Sequence, residues 1–131
     1  MKFFILIYTS VLLLSGCSDT SNWFSSAPCY YPDEPQTLAP GWVCGQSKSS
    51  AWLTSVGYAP ASSAGAAFAK SMAQADARVK LAQRLKTQCA VGQISEALLN
   101  NSKLMNTQRS PSGGQYAQVG IRPADLQLRC K

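Results

Sequence analysis

Five cysteines carry most of the chemistry that this 131-residue chain offers, and no histidine accompanies them. Cys17 stands apart near the N-terminus, directly after an apolar run. The other four are even in number and contain no C-x-x-C pair, which favours two structural disulfides formed in an oxidising compartment. A zinc site without histidine would need cysteines alone, at spacings unlike the usual ones, so we predict no metal or cofactor site. These four residues are Cys29, Cys44, Cys89 and Cys130.

Groups suited to acid–base catalysis are scarce. Histidine, the commonest general base, is absent, and the chain has six carboxylates. Of these, only Asp33 and Glu34 are close in sequence, and they lie in a proline-rich segment. A glycosidase, for comparison, needs two carboxylates placed across a cleft. We therefore expect the protein not to be an enzyme.

The N-terminus has the pattern of an export signal. Lys2 precedes an apolar run over residues 3–14, which is too short for a permanent transmembrane helix. A plain signal peptide and a buried strand are the alternatives. Leucine, a small residue and glycine directly before Cys17 form the lipobox of bacterial lipoproteins, so residues 1–16 are predicted to be a lipoprotein signal peptide.

Cys17 is accordingly the predicted site of lipid attachment and the first residue of the mature chain. Acyl chains partition into lipid at ~0.8 kcal/mol per buried methylene, so three chains would hold the protein firmly at a membrane. Ser18, rather than aspartate, follows Cys17, and this favours sorting to the outer membrane over retention in the inner one. We expect the domain to be anchored there on the periplasmic face.

The charges are predominantly basic and scattered. With Lys2 removed, eleven basic residues stand against six acidic ones, a net charge of about +5. This pattern is typical of a solvated surface, with attraction to anionic envelope polymers as the functional alternative. Nucleic acid is not an expected partner of an exported chain without an aromatic and basic motif.

Composition divides the mature chain into two parts. Residues 17–40 are rich in proline and serine, and the prolines oppose regular helix and central strand, so we interpret this part as a lipid-anchored tether. Residues 41–131 form the predicted domain. Cys29 and Cys44 flank the proline-rich segment, and a bond between them would close a short loop, worth on the order of 3 kcal/mol.

The centre of the domain is predicted to be a strand followed by one long helix. Residues 51–59 suit a strand, in which Gly57 is the point where the helix could pack closely. Residues 64–88 are rich in alanine and have helical periodicity. Their apolar stripe, which we interpret as core, consists of Phe68, Met72, Ala75, Val79 and Ala82, widened by Leu81, Leu85 and Cys89.

The C-terminal third is predicted to supply the rest of a sheet. Residues 103–109 and 115–121 suit strands, and residues 110–114 form a strong turn signal between them. Alternation at Leu126 and Leu128 predicts a last edge strand that points Cys130 toward the core, where it would meet Cys89 at the helix end. The predicted fold class is α+β, one long alanine-rich helix on a small antiparallel sheet in strand-helix-strand-strand order, with an extended N-terminal tether.

Several short motifs occur in a characteristic order between Pro40 and Pro123. They resemble the LPP-twenty family of bacterial lipoproteins, which includes the flagellar outer-membrane lipoprotein P. The motifs are Pro40 with Trp42, Val56-Gly57-Tyr58, Asp76-Ala77-Arg78 with Leu81-Ala82, and residues 110–114 with Tyr116 and Val119-Gly120.

The resemblance implies a function as well as a fold. It implies a compact α+β domain and a structural or assembly role in an envelope structure, with flagellar association as one form of that role. Partners would be further copies of the chain or proteins of an envelope machine. Binding to peptidoglycan or another envelope polymer is the alternative. Asp76 and Arg78 are either functional contacts or residues that pin the helix to neighbouring loops.

The lipobox makes a direct prediction about Cys17. Cys17→Ala should abolish acylation and move the protein from the membrane fraction to the soluble fraction, because the acyl chains supply the anchoring free energy. Fractionation of cells expressing either form, followed by immunoblotting, measures this. Unchanged membrane association of the variant would refute lipid attachment at Cys17.

Overall fold

The computed structural model describes residues 27–46, 49–89 and 99–130. The predicted signal peptide, Cys17 and the first part of the predicted tether lie outside these residues. The elements, in chain order, are β1 (Tyr30–Tyr31), β2 (Glu34–Leu38), a first 3-10 helix (Gly41–Cys44), β3 (Leu53–Ala59), α1 (Ala66–Gln88), β4 (Lys103–Arg109), β5 (Gln115–Ile121) and a second 3-10 helix (Pro123–Leu126).

Three strands form one antiparallel sheet in the order β3-β5-β4. β3 and β5 pair from Leu53 opposite Ile121 to Ala59 opposite Gln115. The turn predicted at residues 110–114 joins β4 to β5. Because α1 packs on β3 and β5, the predicted fold of a long helix on a small antiparallel sheet, in strand-helix-strand-strand order, is confirmed.

The closest contact between α1 and β3 is made at Gly57, where the two backbones meet. A β-carbon added to Gly57 would fall well inside van der Waals distance of the Ala73 carbonyl oxygen and the Ala77 amide nitrogen. Ala69, Ala73 and Ala77 form the buried row of the helix over this strand. The predicted close approach at Gly57 is therefore confirmed, and it restricts the facing helix row to small side chains.

Larger side chains fill the core toward the end of α1. Leu81 and Leu85 are fully buried and pack with Leu53, Val119 and Ile121. Burying an aliphatic side chain of this size contributes roughly 1.5–3 kcal/mol, so this cluster supplies much of the hydrophobic stabilisation. The core is consequently thin at the N-terminal half of the helix and thick at its C-terminal half.

Both predicted disulfides are present, Cys29–Cys44 and Cys89–Cys130. The second one closes a span of 41 residues and ties the chain end to the end of α1, which is worth about 4 kcal/mol in the chain-entropy model. The predicted strand before Cys130 does not form. Residues 123–126 make a 3-10 helix instead, and Leu126 and Leu128 still pack against the core.

Residues 27–40 differ from the extended tether that their prolines suggested. β1 and β2 pair as an antiparallel hairpin, which the Cys29–Cys44 disulfide links to the first 3-10 helix. Tyr31 and Val43 are buried with Cys29 against Tyr116. This part of the predicted tether is therefore packed on the domain. The prolines allow it because a two-stranded hairpin leaves edge positions that need no amide donor.

The hairpin also affects the burial of β5, because it covers Tyr116 on the face of the strand that points away from the helix. The side chains of β5 alternate, with Ala117, Val119 and Ile121 on the helix side, and every residue of the strand is buried. The hairpin and the first 3-10 helix cover part of the second face. Among the described residues, no helix is long and apolar enough to cross a membrane.

The Gly57 contact predicts a clear difference between two substitutions in β3. Gly57→Ala should lower the free energy of unfolding by roughly 1–3 kcal/mol, because the added methyl group forces the two backbones apart. Ser55→Ala is the matched control on the same face, and its buried hydroxyl has no hydrogen-bond partner within the described residues. Losing that hydroxyl should be neutral or slightly stabilising. Chemical denaturation measures both, and equal effects would contradict the contact.

Candidate functional site

The outward side of α1 carries a row of apolar side chains, which we call the outer stripe: Phe68, Met72, Ala75 and Val79. Phe68, Met72 and Val79 are 51%, 49% and 57% exposed, and Ala75 is exposed as well. Their spacing of four, three and four residues places them on one helix face. The sequence prediction that these four residues belong to the core is therefore wrong, while Ala82 is half-buried.

The reason for this error lies in the strand rather than in the helix. α1 has two apolar rows, and periodicity alone does not tell which one faces the sheet. Gly57 brings the β3 backbone so close that only the row of Ala69, Ala73 and Ala77 fits. The larger side chains are left on the outside. The four-residue spacing of alanines, read together with a glycine in the preceding strand, was the signal that could have identified the buried row.

The outer stripe borders a groove between α1 and the end of β3. Tyr58, Pro60 and Ala61 form the opposite wall, and the groove encloses about 740 Å³. Asp76 also lines it, and its carboxylate accepts hydrogen bonds from the Tyr58 amide at 2.9 Å and from Lys80 Nζ at 2.7 Å. An apolar helix face beside an open groove is a surface suited to contact with another protein.

Two helix side chains protect the edge of the sheet at β3. Asp76 accepts from the Tyr58 amide, and Arg84 Nη1 donates to the Thr54 carbonyl. Asp76 thus pins the helix to β3 and forms an ion pair with Lys80. Its pKa is lowered, because hydrogen bonds from Lys80 and Tyr58 outweigh the opposing effect of burial. Arg78 is exposed.

The opposite face of the sheet holds a second concave surface, which we call the tryptophan cleft. Trp42 and Trp52 line it together with Met105, Asn106 and Gln118, and it encloses about 540 Å³. Binding sites for small molecules typically enclose ≈ 300–1,000 Å³ and combine apolar walls with a few polar groups. The cleft has both the size and the composition of such a site.

Gly120 provides the space that the cleft needs. A β-carbon at Gly120 would lie 2.5 Å from Met105 Sδ and 3.2 Å from Trp52 Cε3. Both side chains therefore lie over the central strand, near the end of β5. Met105 reaches this position because β4 is irregular between Leu104 and Asn106, where its register with β5 shifts. Such bulges re-aim side chains and are frequent beside functional sites.

Two amide side chains form the polar part of the cleft. Asn106 Nδ2 donates to Gln118 Oε1 at 2.8 Å across the β4–β5 pair. Gln118 is only 4% exposed, and its own amide nitrogen donates no hydrogen bond within the described part of the chain. This nitrogen is therefore a donor that a molecule in the cleft could engage.

Basic groups stand beside Trp52. Arg122 Cζ lies 5.6 Å and Lys103 Nζ 6.0 Å from the centre of the indole ring. Arg122 also donates two hydrogen bonds to Asp125, and this partner raises the pKa of Arg122 and lowers that of Asp125. The charge near Trp52 is thus positive but partly balanced.

A cluster around Asp33, which we call the Asp33 clasp, joins the hairpin to the turn between β4 and β5. Its carboxylate accepts hydrogen bonds from Ser110 Oγ and Ser112 Oγ, each at 2.6 Å, and from Tyr116 Oη at 2.5 Å. A side chain at Gly114 would collide with this carboxylate. Since three donors converge on one carboxylate, the clasp has the arrangement of an anchor between the hairpin and the turn.

The clasp shifts the pKa values of its members in opposite directions. Burial acts to raise the pKa of Asp33, but the hydrogen bonds from Ser110, Ser112 and Tyr116 outweigh it, so the net shift is downward. Burial and the hydrogen bond to Asp33 raise the pKa of Tyr116. Asp33 is therefore ionised and Tyr116 neutral at pH 7, the states in which the clasp is strongest.

The predicted site residues fall into two groups. Cys17 lies outside the described residues. The other four cysteines are all disulfide-bonded, so none is available as a nucleophile or a metal ligand. Within residues 27–46, 49–89 and 99–130, no three cysteine or acidic side chains come together as a metal site would require.

Comparison of the chain with protein-family models, with curated proteins and with solved structures found no match.

The Asp33 clasp predicts a specific dependence of stability on pH. A carboxyl group whose pKa is lowered in the folded state stabilises it fully above the ordinary value, and this stabilisation is lost as the pH falls through the lowered value. Asp33→Asn should thus reduce the free energy of unfolding at pH 7, and the difference from the native chain should shrink below about pH 4.

Denaturation of both proteins at pH 7, 5, 4 and 3 measures this difference. Asp76 and Asp125 also have lowered pKa values, but both proteins contain them, so their contribution cancels in the comparison. A gap that stays constant or widens on acidification would exclude an ionised Asp33 as the anchor.

Proposed function

We propose that this protein is an outer-membrane lipoprotein on the periplasmic face that acts as a non-enzymatic structural or assembly component of an envelope structure. The observation that carries the proposal is the outer stripe. Phe68, Met72 and Val79 present about half of their surface to solvent, although they and the buried Leu81 and Leu85 are the largest apolar side chains of α1. Contiguous apolar surface of this kind typically marks a protein interface.

The shape of the stripe suits helix-mediated association. Anchors spaced by three and four residues along one helix face are the pattern by which helices bind grooves of partner proteins. The neighbouring groove at Tyr58, Pro60 and Ala61 offers a complementary feature on the same surface. Partners would therefore be further copies of the chain or proteins of an envelope machine.

The sequence supports the proposed location. The lipobox before Cys17 supplies the anchor, and both disulfides fit an oxidising compartment. About ten residues separate Cys17 from Ala27, where the described domain begins, and a chain of that length spans at most ~35 Å. Lipid attachment would thus hold the domain close to the membrane surface, where it meets other anchored proteins at high local concentration.

The resemblance to LPP-twenty lipoproteins supports the same role. It implies an α+β domain with a long helix on an antiparallel sheet, and the chain has this fold. It also implies structural or assembly roles in the envelope, with flagellar association as one form. Binding to peptidoglycan or another envelope polymer is the second candidate, and the tryptophan cleft is the observation that favours it.

Crosslinking in intact cells tests the proposed assembly role. The full-length lipidated protein would carry the photo-crosslinker benzoylphenylalanine in place of Val79, and a control protein would carry it in place of Lys70, which is exposed but outside the stripe. We expect crosslinks to further copies or to envelope-machine proteins from position 79 and few from position 70. Equal yields from both positions, or none from position 79, would contradict an interface at the stripe.

Substitutions within the stripe should separate assembly from folding. Phe68→Ser combined with Met72→Ser should abolish the crosslinks from position 79, since it removes the apolar contact area. Both side chains are half exposed, so the free energy of unfolding should change by only about 1 kcal/mol. Crosslinks that survive this double substitution would assign the contact to another surface.

A further inference from the structure

The tryptophan cleft combines apolar walls with a polar floor. Its walls are two indole side chains and a thioether, and its floor holds the hydrogen-bonded amides of Asn106 and Gln118. It lies across the sheet from α1, so the outer stripe does not explain it. The amides could have been replaced by apolar residues if the surface only needed to be covered, because buried polar groups cost free energy unless they are paired.

We propose that the tryptophan cleft binds an N-acetylated oligosaccharide. The ring of a hexose has apolar C–H faces that pack on indole, an apolar surface that is broad and rigid. Its hydroxyl groups and its acetamido group need donors and acceptors of hydrogen bonds at the same time. Trp42 and Trp52 supply the first requirement, and the amides of Asn106 and Gln118 supply the second.

The amide of Gln118 specifies the acetamido group among the substituents of a sugar. Its nitrogen donates no hydrogen bond within the described part of the chain, so it can donate to a carbonyl oxygen of a ligand. The acetyl methyl group would then lie among apolar atoms, which Met105 and Trp52 provide above Gly120. A ligand that presents a carbonyl and a methyl group together satisfies both parts of this floor.

The bulge in β4 argues for a small ligand and against an added peptide strand. A peptide that extends the sheet needs a regular edge, and the register shift between Leu104 and Asn106 interrupts that edge near the start of β4. The same irregularity turns Met105 over Gly120, into the cleft. The bulge therefore makes β4 an irregular edge strand and places the Met105 side chain in the cleft.

The choice of an envelope glycan as the source rests on the proposed location of the protein. Peptidoglycan and lipopolysaccharide both contain N-acetylated or N-acylated amino sugars. Either polymer could therefore supply the proposed ligand. Lys103 and Arg122 beside Trp52 give this region a positive character that suits an anionic polymer. The binding chemistry itself depends only on the cleft, so it can be tested apart from the location.

Calorimetric titration of the full-length lipidated protein in detergent tests the proposal. The probes are the trimer of N-acetylglucosamine and cellotriose, which has the same linkage without acetamido groups. Asn106→Ala is the test variant, because Asn106 is exposed and its loss should leave the fold intact. Gln108→Ala is the matched control, an amide on the same strand and the same side of the sheet but not part of the cleft.

We expect the acetylated trimer to bind about tenfold more tightly than cellotriose, as one or two hydrogen bonds to the acetamido group would give. Asn106→Ala should weaken binding of the trimer by up to about tenfold, and Gln108→Ala should leave it unchanged. No binding of the trimer, equal binding of both sugars, or equal effects of the two substitutions would overturn the proposal.

Sedimentation with purified sacculi and binding to lipopolysaccharide vesicles then identify the natural source. Retention by one of them that the acetylated trimer displaces assigns that polymer, and retention by neither contradicts an envelope glycan as the ligand. These results are distinguishable from a failure of the proposed assembly role. Absence of crosslinks from position 79 in the chain with an intact outer stripe would refute that role without affecting binding of the trimer to the purified protein.

Discussion

The contact between Gly57 and the backbone of α1 determines the layout of this domain. Because strand and helix touch at backbone distance, the facing row of the helix is limited to Ala69, Ala73 and Ala77. Such a contact gains many short-range dispersion interactions but little hydrophobic burial, since alanine offers a small area. The remaining stabilisation has to come from the leucines at the C-terminal half of α1 and from the two disulfides.

One consequence is that the large apolar residues of the N-terminal half of α1 face outward. Phe68 and Met72 do not fit between the helix and β3, yet the helix retains them on its solvent side. A chain that needed only solubility would place polar residues there. The arrangement of small residues inside and large ones outside is understandable if a partner covers the outer stripe, and this is why it carries the functional proposal.

Much of this fold follows from the sequence by simple rules. Residues 64–88 were predicted as a helix and form one over Ala66–Gln88, and the turn at residues 110–114 and both cysteine pairs were predicted correctly. The buried face of the helix was predicted wrongly. α1 has two apolar rows, and which of them faces the sheet depends on a tertiary contact at Gly57. The hairpin in residues 27–40 was missed as well, since it depends on the disulfide and on the Asp33 clasp, which joins residues about 80 positions apart.

The candidate sites were harder to predict than the fold, because they too depend on tertiary contacts between residues far apart in the sequence. The tryptophan cleft draws Trp42, Trp52 and Gln118 from three separate segments, and only the pairing of β3 with β5 and the packing of the first 3-10 helix on the sheet bring them together. β5 is buried on both faces. It lies between the two candidate sites and separates them. The outer stripe and the cleft thus lie on opposite sides of one rigid sheet. The proposed protein partner and the proposed glycan would therefore occupy opposite sides of the sheet, and neither contact would obstruct the other.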